Sequence, residues 1–306
     1  MINVLIHIGV LLAFPPLSLG LIRKTKAIVA GRVGPPLAQT YIDIAKLLTK
    51  GAVYSSTTTW LFTAGPIVSL AALLAAGLLV PIGSRAPLEF TGDVIVFVYL
   101  LALGRFFTMA AALDTGSSFE GMGASREATF SALAEPALLL GLATICVPIR
   151  ALSLSGAFRA WTVGGQNLGY PATLAAAITL FIVLLAECSR IPFDDPTTHL
   201  ELTMVHEVMV LDHGGPDLAF IVYGSALKLF ILGSVIVHLF LPISVGANPV
   251  GATFLLLVGQ SVLAVAVGLV ESVTARLRLS RVPEILIGAT VITALGLVAL
   301  FYRGGP

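Results

Sequence analysis

Charge is what this chain has least of. Only 11% of its 306 residues are Asp, Glu, Lys or Arg, where soluble domains carry about 25%. No polar stretch is long enough to bury a separate core, so a soluble domain is not expected. The few charges nearly cancel, at a formal +1, which favours neither nucleic acid nor an acidic partner. Cysteine is also scarce. Cys146 and Cys188 are the whole supply, and a Cys-ligated iron–sulfur cluster needs about four thiolates. Both read as small apolar residues in or beside apolar segments. The apolar N-terminus lacks a basic n-region and a clear small-residue cleavage site, so it reads as a first membrane helix and not a signal peptide. No internal repeat is visible, which argues against a stand-alone secondary transporter.

What the chain has in abundance is grease: 57% hydrophobic residues and a mean hydropathy of +1.01. It reads as an all-α polytopic membrane protein, one integral membrane domain over 1–306. Eight apolar stretches approach the roughly 20 residues needed to cross a bilayer. They are Ile2–Ile22, Trp60–Pro81, Val94–Leu113, Arg126–Val147, Ala172–Glu187, Leu218–Leu241, Thr253–Val270 and Pro283–Tyr302. With the N-terminus outside, the inner loops hold Arg23, Lys24, Lys26, Arg32, Lys46, Lys50, Arg126, Arg190, Arg276, Arg278 and Arg281. The outer side holds only Arg85, Arg150, Arg159 and Arg303. The positive-inside rule therefore predicts both termini on the outer side.

Between the first two spans, Leu37, Tyr41, Ile44, Ala45 and Leu48 recur at helical spacing, with Thr40, Asp43, Lys46 and Lys50 opposite. This predicts an amphipathic surface helix over 36–50, with Pro35 and Pro36 at its start. It suits a membrane-surface connector and a platform for a partner subunit alike. The polar inner loop 188–216 carries Asp194, Asp195, Glu201, Glu207 and Asp212 against Arg190 alone. Topology does not need acids there, so a docking surface or a proton-collecting mouth is expected. Within it, Thr203 to Leu211 suits one short helix, halted by Gly214 and Pro216. His206-Glu207 resembles the start of a zinc-protease motif, but Val210 stands where the second histidine belongs; no metal site is expected. Gly116 to Glu127 reads as a glycine-rich loop whose glycines permit close packing, without a nucleotide fingerprint.

The charges inside spans carry the chemistry. Glu135, followed by Pro136, is mid-span, where an ionised carboxylate costs roughly 2.5–3.5 kcal/mol. The proline lacks an N–H, so the Ala132 carbonyl loses its helical partner and a kink is expected. Lys228 is mid-span in the sixth segment, Arg105 lies in the inner half of the third, and Glu187 and Glu271 end the fifth and seventh. Two readings stand. One is structural ion pairs that fix helix register, for example Glu135 with Lys228. The other is a proton or sodium half-channel open to the cytoplasm, since intramembrane acids are common relay groups.

A run of motifs then resembles one family. Gly31-Arg32-Val33-Gly34-Pro35 precedes Asp43-Ile-Ala-Lys46, and Asp114 to Glu127 follows. Further on come Ala134-Glu135-Pro136, Ala186-Glu187, Arg190-Ile-Pro-Phe-Asp194 and Thr198 to Glu207. Together and in order they are similar to the membrane anchor subunit of complex I-related membrane-bound nickel–iron hydrogenases, of the formate hydrogenlyase subunit 4 or hydrogenase-4 component C type, in the complex I subunit 1 superfamily. The resemblance implies a non-redox subunit, not catalytic alone, in a prokaryotic cytoplasmic membrane. It implies an ion pathway through Glu135, Glu187 and Glu201, beside the charged Lys228 and Arg105. It also implies docking through Arg32, Asp43, Lys46, Glu120, Arg126, Arg190, Asp194, Asp195, His206 and Glu207. Expected partners are hydrogenase large and small subunits, an iron–sulfur protein and antiporter-like membrane subunits, besides the lipid bilayer. The nickel–iron centre and iron–sulfur clusters are expected in those partners, with no cofactor here. The alternative is a complex I-type quinone-site subunit. The segment Leu202–His213 departs from the complex I pattern, which argues against it.

Overall fold

A computed structural model describes residues 2–83, 85–163, 171–194, 204–241, 243 and 248–303. Eleven helices are found among them: α1 (Ile2–Ala13), α2 (Pro15–Val29), α3 (Gln39–Leu48), α4 (Trp60–Leu79), α5 (Asp93–Asp114), α6 (Ser118–Cys146), α7 (Leu154–Val163), α8 (Pro171–Glu187), α9 (Gly215–Phe240), α10 (Pro249–Val273) and α11 (Val282–Arg303). Six of them, α4, α5, α6, α9, α10 and α11, are long and apolar enough to cross a membrane. Helices α1 and α2 are together long and apolar enough for one further span, bent by 44°, and α8 is a shorter apolar helix of 17 residues. The eight expected stretches are all helical, but the first is not one rod. Pro15 and Pro16 start α2, because neither can donate to the turn before it.

The packing is that of a protein dissolved in lipid. Large apolar side chains such as Phe106, Val262 and Leu295 face outward. The core gathers α4, α5, α6, α8 and α9 around Phe97, Leu142, Leu184 and Phe230, none more than marginally accessible. Termini are tied locally. Asp114, closing α5, accepts from the Thr59 backbone N at 2.6 Å and its hydroxyl at 2.8 Å, while that hydroxyl caps α4 at Leu61. Asp93 opens α5 and accepts from Ser153 Oγ and Leu154 N, both at 2.8 Å, fixing α7 across its end.

Two local expectations are corrected. The glycine-rich stretch Gly116 to Glu127 is not a loop: from Ser118 onward it is the first three turns of α6. Its glycine serves a close approach within this chain. A Cβ at Gly123 would lie 2.4 Å from Val208 Cγ1, 2.9 Å from Met209 Cγ and 3.0 Å from the Val205 carbonyl. Gly214 and Pro216 do not halt a helix over Thr203 to Leu211. That stretch holds a 3-10 turn, Glu207–Val210, and the Gly-Pro pair opens α9, with Pro216 in the first turn, where a missing N–H costs nothing. Helix α6 runs on past Pro136.

Gly123→Leu is therefore expected to destabilise the protein by about 1–3 kcal/mol through overpacking. A lowered unfolding midpoint of the purified protein checks this, with Gly121→Leu as the control, since a Cβ at 121 meets nothing within 4 Å.

Candidate functional site

Four helices bring their charges to one place. Arg105 of α5 donates one guanidinium nitrogen to Glu187 Oε1 of α8 and the other to Glu135 Oε1 of α6. Lys228 of α9 approaches the second oxygen of Glu187 at 2.6 Å. The Glu187 side chain is 3% exposed and held between two cations. Glu135 is different: 39% of its side chain is open. The expected pair Glu135–Lys228 is not formed. Lys228 takes Glu187, and Arg105 holds Glu135.

A fifth charge belongs to the group. Glu127, two turns before Glu135 on α6, lines a cavity of about 60 Å³ with Arg105, Glu187, Lys228, Cys188 and His206; Ser69, Thr108 and Ser225 add hydroxyls. A water needs only about 10–15 Å³ of such space, so the cavity has room for several. A smaller cavity, about 20 Å³, is lined by Glu127, Glu187, Ser131 and Asp194. Glu127, Glu187 and Ser189 form the wall common to both. With every group ionised, Arg105 and Lys228 bring two positive charges, and Glu127, Glu135 and Glu187 three negative ones. One bound proton restores neutrality.

The loop after α8 lines one side of this cavity with Cys188, Ser189, His206 and Met209. Burial and the Lys228 ammonium hold the His206 imidazole below its ordinary pKa. Burial pushes the Cys188 thiol up to about 11. Asp194 fastens the loop: its Oδ2 accepts from Val205 N and His206 N, both at 3.1 Å, and its Oδ1 meets Arg276 Nη2 at 2.9 Å. Leu277 N donates to the Pro192 carbonyl at 2.9 Å. Glu271 of α10 sits between Lys26 at 2.9 Å and Arg190 at 3.5 Å.

The expected docking residues divide in two. Arg32 and Lys46 are exposed, and Asp43 is half-exposed beside Arg23 at 3.7 Å. Glu207 and His206 are partly open, and Arg126 donates to the Met204 carbonyl at 2.8 Å. Glu120 and Asp194 are turned inward. Glu120 accepts from Asp212 N at 3.1 Å and is 1% exposed, so both hold this chain's own loops. Asp195 and Glu201 lie outside the described residues. No group of three metal-ligating side chains occurs among the described residues. Sequence reasoning missed Glu127. Glu127, Ser131 and Glu135 recur every four residues, a helical stripe hidden by reading its first part as loop.

A helical membrane bundle around a buried, water-accessible charge cluster is the class of protein that this fold and site define. A family model described as NADH dehydrogenase matches residues 2–302, and the chain belongs to that family, of the complex I subunit 1 type. It is similar to formate hydrogenlyase subunit 4 of Escherichia coli (strain K12), 32% identical over 290 residues that cover 92% of each chain. It is similar to hydrogenase-4 component C of the same organism, 34% identical over 236 residues, 76% of this chain and 73% of the relative. Among solved structures, a chain of the membrane-bound sulfane sulfur reductase, an archaeal respiratory membrane complex, has the same fold, with a TM-score of 0.82, 97% coverage of both chains and 24% identity.

Proposed function

We propose that the chain is the non-redox membrane subunit of an energy-converting hydrogenase. It holds the electron-transfer subunits at the basic end, on the cytoplasmic side, and carries a proton half-channel from there to Glu135. The single observation behind this reading is the cluster of five charges, Arg105, Lys228, Glu127, Glu187 and Glu135, which is neutral only with one proton bound. All but Glu135 line the cavity together with His206, and Arg105 joins them to Glu135. Glu135, partly open to the side of the bundle, is the exit toward a membrane neighbour. The relatives named as formate hydrogenlyase and hydrogenase-4 subunits support nickel–iron and iron–sulfur centres in the soluble partners, with protons as electron acceptor. For the quinone reading, the cavity at the cluster is small: about 60 Å³, against roughly 300–1,000 Å³ for sites that enclose small molecules.

Glu135→Gln tests this in the assembled complex. The side chain is half-open and Arg105 keeps Glu187, so assembly should survive. Ion translocation into inverted vesicles is expected to fall at least about tenfold, the low end for a lost proton-transfer group scaled down for a relay. Wild-type translocation in this variant would remove Glu135 from the path.

A further inference from the structure

The bend between α1 and α2 leaves three carbonyls without their helical donors. Pro15 and Pro16 have no N–H to offer Leu11 and Leu12, and the Leu17 N–H goes to Phe14 O at 3.0 Å instead of Ala13. Inside a membrane such groups must be satisfied by the protein itself. Two tyrosines do it. Tyr223 of α9 donates to the Leu12 carbonyl at 3.0 Å, with the Leu11 carbonyl at 3.4 Å. Tyr41 of α3 donates to the Ala13 carbonyl. Phe14, at the break itself, rests its ring against Phe230 with centroids 5.6 Å apart. Lys228 stands on α9 between Tyr223 and Phe230.

The three elements are unequally anchored. Helix α9 is buried along most of its length. Helix α3 buries only Thr40. Leu37, just before it, comes against α2 where Gly20 makes room: a Cβ there would lie 2.2 Å from the Leu37 carbonyl. The surface helix, which also packs directly on α9, is thus the more exposed end of a short chain of contacts that finishes beside the charge cluster.

We propose that Tyr41 and Tyr223 are positioning residues that make the broken helix a mechanical link between α3 and Lys228. A shift of α3 pulls the Ala13 carbonyl through the Tyr41 hydroxyl and swings the bend. Tyr223 and Phe14 pass that movement to α9, and Lys228 moves against Glu187. The inference goes beyond the ion path proposed above: it concerns how a change at the exposed basic end reaches the buried charges, whatever passes between them.

The experiment uses the assembled complex and the chain's own cysteines. Cys188 lines the Lys228 cavity, while Cys146 is buried at the far end of α6. The labelling rate of each with a small maleimide is read by mass spectrometry of its peptide. Tyr41→Phe and Tyr223→Phe are each expected to change the Cys188 rate about threefold, the scale of modest coupling energies. The double variant should change it no more than the larger single one, because both act through one link. Cys146 should be unaffected, as should both sites in Tyr99→Phe, whose side chain is exposed. An unchanged Cys188 rate overturns the proposal. So do additive effects, or an equal change at Cys146, which marks general loosening. Should Tyr223→Phe fail to assemble, Tyr41→Phe, at the exposed helix, decides alone. Labelling needs no ion movement, so failure here and failure of the ion path are separate results.

Discussion

Replacing Arg105 with leucine is expected to leave very little of this protein intact in the membrane. Among the described residues, its guanidinium is the one group that ion-pairs with both Glu187 and Glu135, and its side chain is 6% exposed. Removing one partner of a buried ion pair costs roughly 3–5 kcal/mol, because the other charge stays behind uncompensated. Here Glu135 loses its cation while Glu187 keeps Lys228, so the cost lies toward the low end of that range, still a large part of the roughly 5–15 kcal/mol that holds a small domain together. The chain content of membranes, measured against an unaltered subunit of the same complex, should fall steeply. Arg105→Lys should recover only part of it, since an ammonium cannot present two separated donor edges to two acids. The triple change Arg105→Leu, Glu187→Gln and Lys228→Met removes the buried charges together and should recover much more than the single leucine variant retains. If the single leucine variant accumulates normally, the cluster is not holding α5, α6 and α8 together.

Lys228→Met should act differently. Methionine fills similar space, and Arg105 continues to hold Glu187, so the bundle is expected to assemble. The cluster then has one cation, Arg105, for Glu127, Glu135 and Glu187. The cheapest relief for such an excess of acid is to keep protons bound throughout the cycle. A carboxyl that never releases its proton cannot pass one on. Ion translocation is expected to drop at least about tenfold, within the range seen when a proton-transfer group is lost, while the redox subunits turn over without driving it. Lys228→Arg keeps the charge and should retain a measurable part. Coupled translocation at the wild-type rate in the methionine variant would show that the ammonium has no part in the path.

The membrane helices were legible in the residues because lipid imposes one simple demand, a long apolar stretch, and six of the eight stretches meet it without a break, while Ala172–Glu187 falls short in the 17-residue α8. The first also met it, but Pro15-Pro16 was read through: hydropathy carries no information about missing N–H groups. The cluster was half legible. Glu135, Glu187, Arg105 and Lys228 stood out as charges in grease, yet their pairing did not, since which helix faces which depends on azimuths that no single segment encodes. That is why Lys228 was matched with Glu135 when Glu187 is its partner. Glu127 was lost for another reason. Glycines at 121 and 123 look like loop punctuation, and only the packed neighbours Val208 and Met209 reveal that Gly123 serves a crowded helix. The short helix α7 was missed as well, being too brief to cross a bilayer and tied on mainly by Asp93.

The brace between Asp194 and Arg276 has a consequence for how this chain drifts over time. The two residues lie in loops separated by α9 and α10, and the Leu277 N–H joins the same loops at the Pro192 carbonyl. Positions 194 and 276 are therefore expected to change as a couple, an acid lost in one descendant being matched by a base lost in the other.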